Sequence, residues 1–102
     1  MEATSLRFAS AARTLGQVAR ARGLGVPGFR SPPRLAGVER SVRRRPDGGS
    51  TIAIRLRGRP WVAVLGDMIE GVVVANGLSG VAADRARTAL WSAIETDELR
   101  AA

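Results

Sequence analysis

The chain has 102 residues, of which 45% are apolar and only four are aromatic, and its formal net charge at pH 7 is +7. It contains no lysine, histidine, cysteine or tyrosine, so every basic side chain is an arginine. These absences exclude disulfides, thiolate metal sites, histidine acid–base catalysis and lysine Schiff-base chemistry. We therefore predict a protein that is not an enzyme and that holds no cofactor or metal. The length allows one hydrophobic core, so we predict a single domain over residues 1–102.

The charge is divided unevenly along the chain. Residues 1–59 contain thirteen arginines against three carboxylates, which leaves +10, whereas residues 60–102 contain three arginines against six carboxylates, which leaves −3. A basic surface of this kind attracts phosphate backbones by Coulomb force and counterion release. Abundant arginine, alanine and glycine are also typical of GC-rich bacterial genomes, whatever a protein does. The lack of cysteine agrees with a cytoplasmic location.

Residues 5–22 predict an amphipathic helix that ends at Gly23. Its polar side carries Ser10, Arg13, Gln17 and Arg20. Its apolar side consists of Phe8, Ala11, Ala12, Leu15, Val18 and Ala19. The start of the chain, residues 1–22, resembles an amphipathic transit peptide, but Glu2 favours a helix of the domain.

A connector is predicted over residues 26–37, where three prolines and two glycines preclude a regular element. We expect Phe29 and Leu35 to pack into the core and Arg30 and Arg34 to stay exposed. The Pro-Pro pair is also compatible with a proline-rich docking motif.

A basic β-hairpin is predicted over residues 38–57. Residues 51–57 alternate strictly, with Ile52, Ile54 and Leu56 on one face. Matching the apolar faces across a three-residue loop of residues 47–49 places Val42 opposite Ile54. The same register places Glu39 opposite Arg57 and brings Arg43 diagonally close to Arg55.

Two helices forming a helical hairpin are predicted over residues 60–99. Pro60 is suited to the first helical position, and a glycine-rich break at residues 77–80 precedes the last helix. The first of the two helices is apolar on several sides, which favours a central place in the core or a contact with a second copy. Asp67 and Glu70 interrupt its apolar stretch, so we predict no membrane span. The inward stripes are Trp61, Leu65, Met68, Ile69 and Val72 in the first helix, and Ala83, Ala86, Leu90, Ala93 and Ile94 in the second.

These elements together predict an α+β domain of order α-β-β-α-α. Its two-stranded antiparallel hairpin packs on the helices through Ile52, Ile54 and Leu56. Because a lone two-stranded sheet is small, we also expect a homodimer that extends it or covers it.

The candidate binding site is the arginine-rich hairpin. Guanidinium groups bind phosphate oxygens in pairs of hydrogen bonds, and two-stranded ribbons are a known mode of nucleic-acid contact. The hairpin carries no aromatic residue for stacking on bases, so duplex DNA is favoured, with RNA as an alternative. The site residues are Arg40, Arg43, Arg44, Arg45, Arg55, Arg57 and Arg59, extended by Arg13 and Arg20 of the first helix.

Three alternatives remain open from the sequence. The arginines can be a solvated surface that pairs with Glu39, Asp67 or Glu70. The chain can be an interaction module or dimeric adaptor, in which the apolar helix binds a protein and the hairpin docks on an acidic partner. The third alternative is a carboxylate enzyme that uses Asp67 and Glu70.

Overall fold

The computed structural model describes residues 3–26 and 39–101, and for residues 3, 5, 39–43, 51–54 and 101 it describes the backbone alone. Within these ranges the elements are α1 (Ala3–Ala21), β1 (Glu39–Arg44), β2 (Ser50–Arg55), α2 (Trp61–Ala75) and α3 (Gly80–Ala101). No helix in the described part of the chain combines the length and hydrophobicity needed to cross a bilayer.

The core lies between the three helices. Each helix buries one stripe of apolar side chains at the 3.6-residue period, as the sequence predicts. The main cluster takes Phe8, Ala11, Leu15 and Ala19 from α1, Val64, Leu65, Met68, Ile69 and Val72 from α2, and Leu90 and Ile94 from α3. A smaller cluster of Val73, Ala83 and Ala86 extends it at one end of the bundle.

The predicted α+β class is wrong, because the protein is a small three-helix bundle. Among the side chains that the structure describes, every buried apolar residue belongs to a helix. Helix α1 closes this core, since Leu15 and its neighbours pack against α2 and α3. A two-stranded sheet offers too little area to form a layer of its own. Residues 39–55 add a short strand pair, whose second strand lies beside α1.

The directions of the helices follow from their contacts. Trp61 at the start of α2 donates to Glu98 near the end of α3, and Glu70 in the middle of α2 pairs with Arg87 in the middle of α3. Helices α2 and α3 are therefore antiparallel. Gly25, just after α1, meets Asn76, just after α2, so α1 runs in the same sense as α2.

Helices α1 and α2 end in the same way. The chain after each helix turns through a glycine with positive φ, Gly23 at 72° and Gly77 at 61°. After α2, the Leu78 N–H donates to the carbonyl of Val73 and the Gly77 N–H to the carbonyl of Val74. The same two bonds recur after α1, so both ends form the Schellman motif, in which the glycine avoids the Cβ strain of that conformation.

The two helix ends are joined by the side chain of Asn76. Its Oδ1 accepts from Gly25 N at 2.7 Å, and its Nδ2 donates to Gly25 O at 2.9 Å and to Val72 O at 2.8 Å. A single amide thus satisfies backbone groups after α1 and at the end of α2. We call this arrangement the Asn76 clasp.

The strands pair antiparallel, but the predicted register is wrong by two residues. Val42 lies opposite Ile52, and Glu39 lies opposite Arg55. Arg45 N donates to Gly49 O, and Gly48 N donates to Arg45 O, so the loop is residues 46–48 and not 47–49. The predicted register would place Pro46 opposite Ser50, where proline has no N–H to donate.

Two further boundaries differ from the predictions. Strand β2 ends at Arg55, and Leu56 then packs against the main cluster from its edge. Pro60 is the N-cap of α2, with ψ of 143°, and not its first helical residue. The predicted connector, with Phe29, Arg30, Arg34 and Leu35, lies outside the described residues except for Val26, which packs on the core.

Candidate nucleic-acid interface

The two site residues predicted on α1 are exposed. Arg13 and Arg20 lie on the polar side of the helix, opposite the buried stripe. Neither makes an ion pair within the described part of the chain. Arg20 is also the basic residue of the last turn, where a cation is favoured by the helix dipole.

The tip of the strand pair carries two more of the predicted arginines. Arg44 and Arg45 are both exposed, as is most of the loop that follows them. Asp47 Oδ1 accepts from Gly49 N at 2.8 Å and lies 3.4 Å from Nε of Arg45. The guanidinium of Arg45 lies directly over Gly49, where a Cβ would overlap it. Asp47 therefore offsets the charge of Arg45, whereas Arg44 makes no ion pair with any residue that the structure describes.

For Arg40 and Arg43 the structure describes the backbone of β1 alone. Their partners in the register are Ile54 and Thr51. Because side chains alternate along a strand, these two arginine positions lie on opposite faces of the pair. They therefore cannot both belong to one flat basic face.

The remaining three arginines follow one another through the turn that joins β2 to α2. Arg55 is exposed at the end of β2. Arg57 has φ of 50° and Gly58 has φ of 78°, and Arg59 N donates to Leu56 O at 3.0 Å. These values are those of a turn with positive φ at both central residues, which removes Arg57 from the strand on which it was predicted.

Arg59 is engaged inside the fold. Its Nη1 donates to Oδ2 of Asp67 at 2.7 Å, and only 25% of its side chain is exposed. The turn is thereby attached to the first half of α2. This contact is the pairing with Asp67 that the sequence allowed as an alternative to binding.

The predicted arginines do not form one compact patch. Arg44 lies opposite Ser50, and Arg55 is five residue steps further along β2, about 17 Å of extended chain. Arg43 lies opposite Thr51, so its position is about 14 Å from Arg55, and the predicted diagonal contact is wrong. The basic groups are therefore spread from the tip of the strand pair to its base and along α1.

Comparisons with protein-family models, with curated proteins and with solved structures find no match to this chain. Any assignment of function therefore depends on the chemistry of these surfaces.

Within the acidic part of the chain, Arg87 of α3 pairs with two carboxylates. Arg87 donates to Glu70 at 2.6 Å and 3.2 Å and to Asp84 at 3.1 Å. These hydrogen bonds lower the pKa of Glu70 and raise the pKa of Arg87. Asp67 and Glu70, the pair considered for catalysis, are thus each held by an arginine. The described residues contain no cluster of acidic side chains that could hold a metal ion.

The sequence analysis missed a cluster of Arg7, Trp61 and Glu98, which lies at the end of the bundle opposite the Asn76 clasp. Arg7 donates to both carboxylate oxygens of Glu98 at 3.1 Å and lies 4.8 Å from the ring centre of Trp61. The Trp61 indole N–H donates to the same carboxylate at 2.9 Å, and the pKa of Glu98 is lowered by Arg7 and by Trp61. No local pattern could reveal this cluster, since Arg7 and Glu98 are 91 residues apart.

Proposed function

We propose that this protein is a non-enzymatic accessory protein that binds nucleic acid through arginines on α1 and on the strand pair. The observation that carries the proposal is the set of exposed arginines that no carboxylate neutralises within the described residues, which includes Arg13, Arg20, Arg44 and Arg55. Such cations release condensed counterions when they meet phosphates, which favours binding at low salt. The cytoplasm is the compartment we propose.

Duplex DNA is the ligand we favour. Proteins that bind single strands or RNA loops stack bases on exposed aromatic rings. Among the aromatic residues that the structure describes, Phe8 is buried and Trp61 and Trp91 are partly buried against the core. Contact with the phosphates of a duplex needs no such ring.

The test is fluorescence anisotropy with labelled duplex DNA, single-stranded DNA and RNA at about 50 and about 200 mM salt. The wild type should bind the duplex best and lose affinity steeply as salt rises. The double variant Arg44→Ala/Arg55→Ala should reduce the slope of log affinity against log salt by about 2, one for each lost phosphate contact.

The matched control is Arg85→Ala/Arg100→Ala. It removes the same charge from exposed arginines of α3 that also have no ion pair within the described residues. Equal losses in the two double variants would show attraction by net charge alone and would refute the assigned surface. Absence of binding at the lower salt concentration would refute the function itself.

A second candidate function is a dimeric or adaptor module. In this function the basic surface binds an acidic protein. It is supported by two valines on the outside of α2, Val62 and Val74, which are 62% and 75% exposed. Val74→Asp should dissociate such an assembly in sedimentation equilibrium without unfolding the chain. Val73 is unsuitable for this test, because it is 2% exposed in the core. A monomeric mass for the wild type at micromolar concentration would exclude the dimer.

A further inference from the structure

The exposed side of α1 carries a continuous row of polar side chains. Ser10, Arg13, Gln17 and Arg20 are all exposed and follow one another at intervals of three and four residues, which places them along one side of the helix. The row extends for about 15 Å, at about 1.5 Å per residue. We call these four residues the α1 row.

The α1 row is free of acidic neighbours on its own helix. Residues 3–21 include no aspartate or glutamate. Two carboxylates of α3 approach the flank of the helix, but each already accepts hydrogen bonds from α1: Asp97 from the Thr14 hydroxyl, and Glu98 from Arg7. These two contacts fix the side of α1 that faces α3. Ser10 borders the same pocket as Asp97 and Glu98, whereas Arg13, Gln17 and Arg20 are exposed and do not line it, so a polyanion can approach these three.

The side chains of the α1 row are the types that distinguish base pairs. Arginine donates two hydrogen bonds to guanine, glutamine exchanges two with adenine, and serine can donate or accept. Phosphate contact draws chiefly on the charge of the arginines, which Gln17 does not add to. The strand pair, by contrast, offers arginines and no glutamine or asparagine within residues 39–55.

Gly16 shapes the surface behind the row. A Cβ at this position would lie 3.1 Å from Nη2 of Arg20 and 3.7 Å from its Cζ, so the guanidinium lies against the helix backbone. An alanine here would displace the guanidinium while it keeps every charge in the chain. It should also stabilise the helix, since glycine in a helix interior is less favourable than alanine by about 1 kcal/mol.

We infer that α1 enters the major groove of duplex DNA and contacts base edges through Arg13, Gln17 and Arg20, while the strand pair holds the phosphates. The inference rests on the proposed function and adds sequence preference to it. A helix is about 10–12 Å across, and the major groove is about 12 Å wide, so α1 fits it. The 15 Å row matches about four base pairs.

The experiment is selection of bound duplexes from a random-sequence pool by the full chain, followed by anisotropy on the selected duplex and a scrambled one. The wild type should prefer the selected duplex. Arg13→Ala and Gln17→Ala should each reduce that preference about tenfold, which is the discrimination of one paired hydrogen bond contact. Arg44→Ala should weaken both duplexes equally, and Arg85→Ala, on α3, is the matched control.

The outcomes separate the two hypotheses. Equal binding of all duplexes by the wild type would overturn the inference and leave the proposed function standing. A preference that survives in the Arg13 and Gln17 variants would also overturn it. Absence of duplex binding at low salt would remove the proposed function and the inference together.

Discussion

Replacement of Glu98 by glutamine is expected to destabilise the end of the bundle where all three helices meet. The carboxylate accepts two hydrogen bonds from Arg7 of α1 and one from Trp61 of α2, at 2.9–3.1 Å. Glutamine keeps one acceptor oxygen but loses the charge, so two charge-assisted bonds to Arg7 are weakened or lost.

The magnitude follows from the number of bonds and their exposure. Hydrogen bonds to charged groups contribute about 1.5–3 kcal/mol when they are protected, but exposed ion pairs contribute about 0.2–1 kcal/mol. The side chains of Arg7 and Glu98 are 51% and 37% exposed, so the sum must be reduced for solvent screening. We expect a loss of about 1–2 kcal/mol, which lowers the melting temperature of a chain of this size by about 5–10 °C.

The assay is thermal unfolding followed by circular dichroism between pH 7 and acid. The pKa of Glu98 is lowered in the folded protein, chiefly by Arg7 and then by Trp61, so its stabilisation is present above the ordinary value of 4.5. That stabilisation is lost as the pH falls through the lower pKa of the folded state. The difference between wild type and Glu98→Gln should therefore be full at pH 7 and shrink below pH 4.5.

Glu95→Gln is the matched control, because Glu95 is exposed on the same helix and makes no ion pair with any residue the structure describes. It should leave the melting temperature nearly unchanged. Equal shifts for the two variants at pH 7, or a difference that persists undiminished in acid, would refute the role assigned to the Glu98 carboxylate.

Three further outcomes are expected. Gly77→Ala should lower the free energy of unfolding by about 1–2 kcal/mol, because φ is 61° and the added Cβ meets no atom within 4 Å, so the cost is backbone strain. Leu90→Ala should cost about 2–5 kcal/mol in chemical denaturation, whereas Leu99→Ala should cost less than about 0.5 kcal/mol, since the two side chains are 0% and 78% exposed. Arg87→Ala should raise the pKa of Glu70 in an NMR titration, because that pKa is held down by Arg87.

Each of these outcomes has its own check. Gly77→Asn should be milder than Gly77→Ala, since asparagine tolerates positive φ, and equal losses would contradict the backbone explanation. Similar costs for the Leu90 and Leu99 variants would contradict the placement of the core. Arg85→Ala should leave the pKa of Glu70 where it is in the wild type.

The helices could be predicted from the sequence because each one buries a single stripe, and the period of that stripe is local information. Leu15 and Leu90 are fully buried at the positions that the pattern indicated. What covers the stripes is not local information. The alternation at residues 51–57 suggested that a sheet packs on the helices as part of the core, but the described core consists of helix side chains, among them Phe8 and Leu15 of α1.

The details of the candidate site were harder to predict for two physical reasons. The register of the strands depends on the turn, and the turn depends on the N–H that Pro46 lacks. The state of each arginine depends on carboxylates elsewhere in the chain, such as Asp67 for Arg59. The exposed positions of Arg13 and Arg20 were predictable, because they follow directly from the helical period.

Because of the Asn76 clasp, chemical change at Asn76 reports on local opening of the fold. In an asparagine–glycine sequence, the backbone nitrogen of the glycine attacks the side-chain carbonyl of the asparagine, which forms a cyclic imide and releases ammonia. Water then opens the imide and leaves an acid in place of the amide. In the folded protein that nitrogen, on Gly77, donates to Val74, and the amide is held by Gly25 and Val72. Deamidation at Asn76 therefore requires the hydrogen bonds of the Asn76 clasp to break. The acid formed there has no N–H group, so it cannot restore the bonds that Asn76 donates to Gly25 and Val72. The fraction of acid that accumulates in a stored sample measures how often the ends of α1 and α2 have separated.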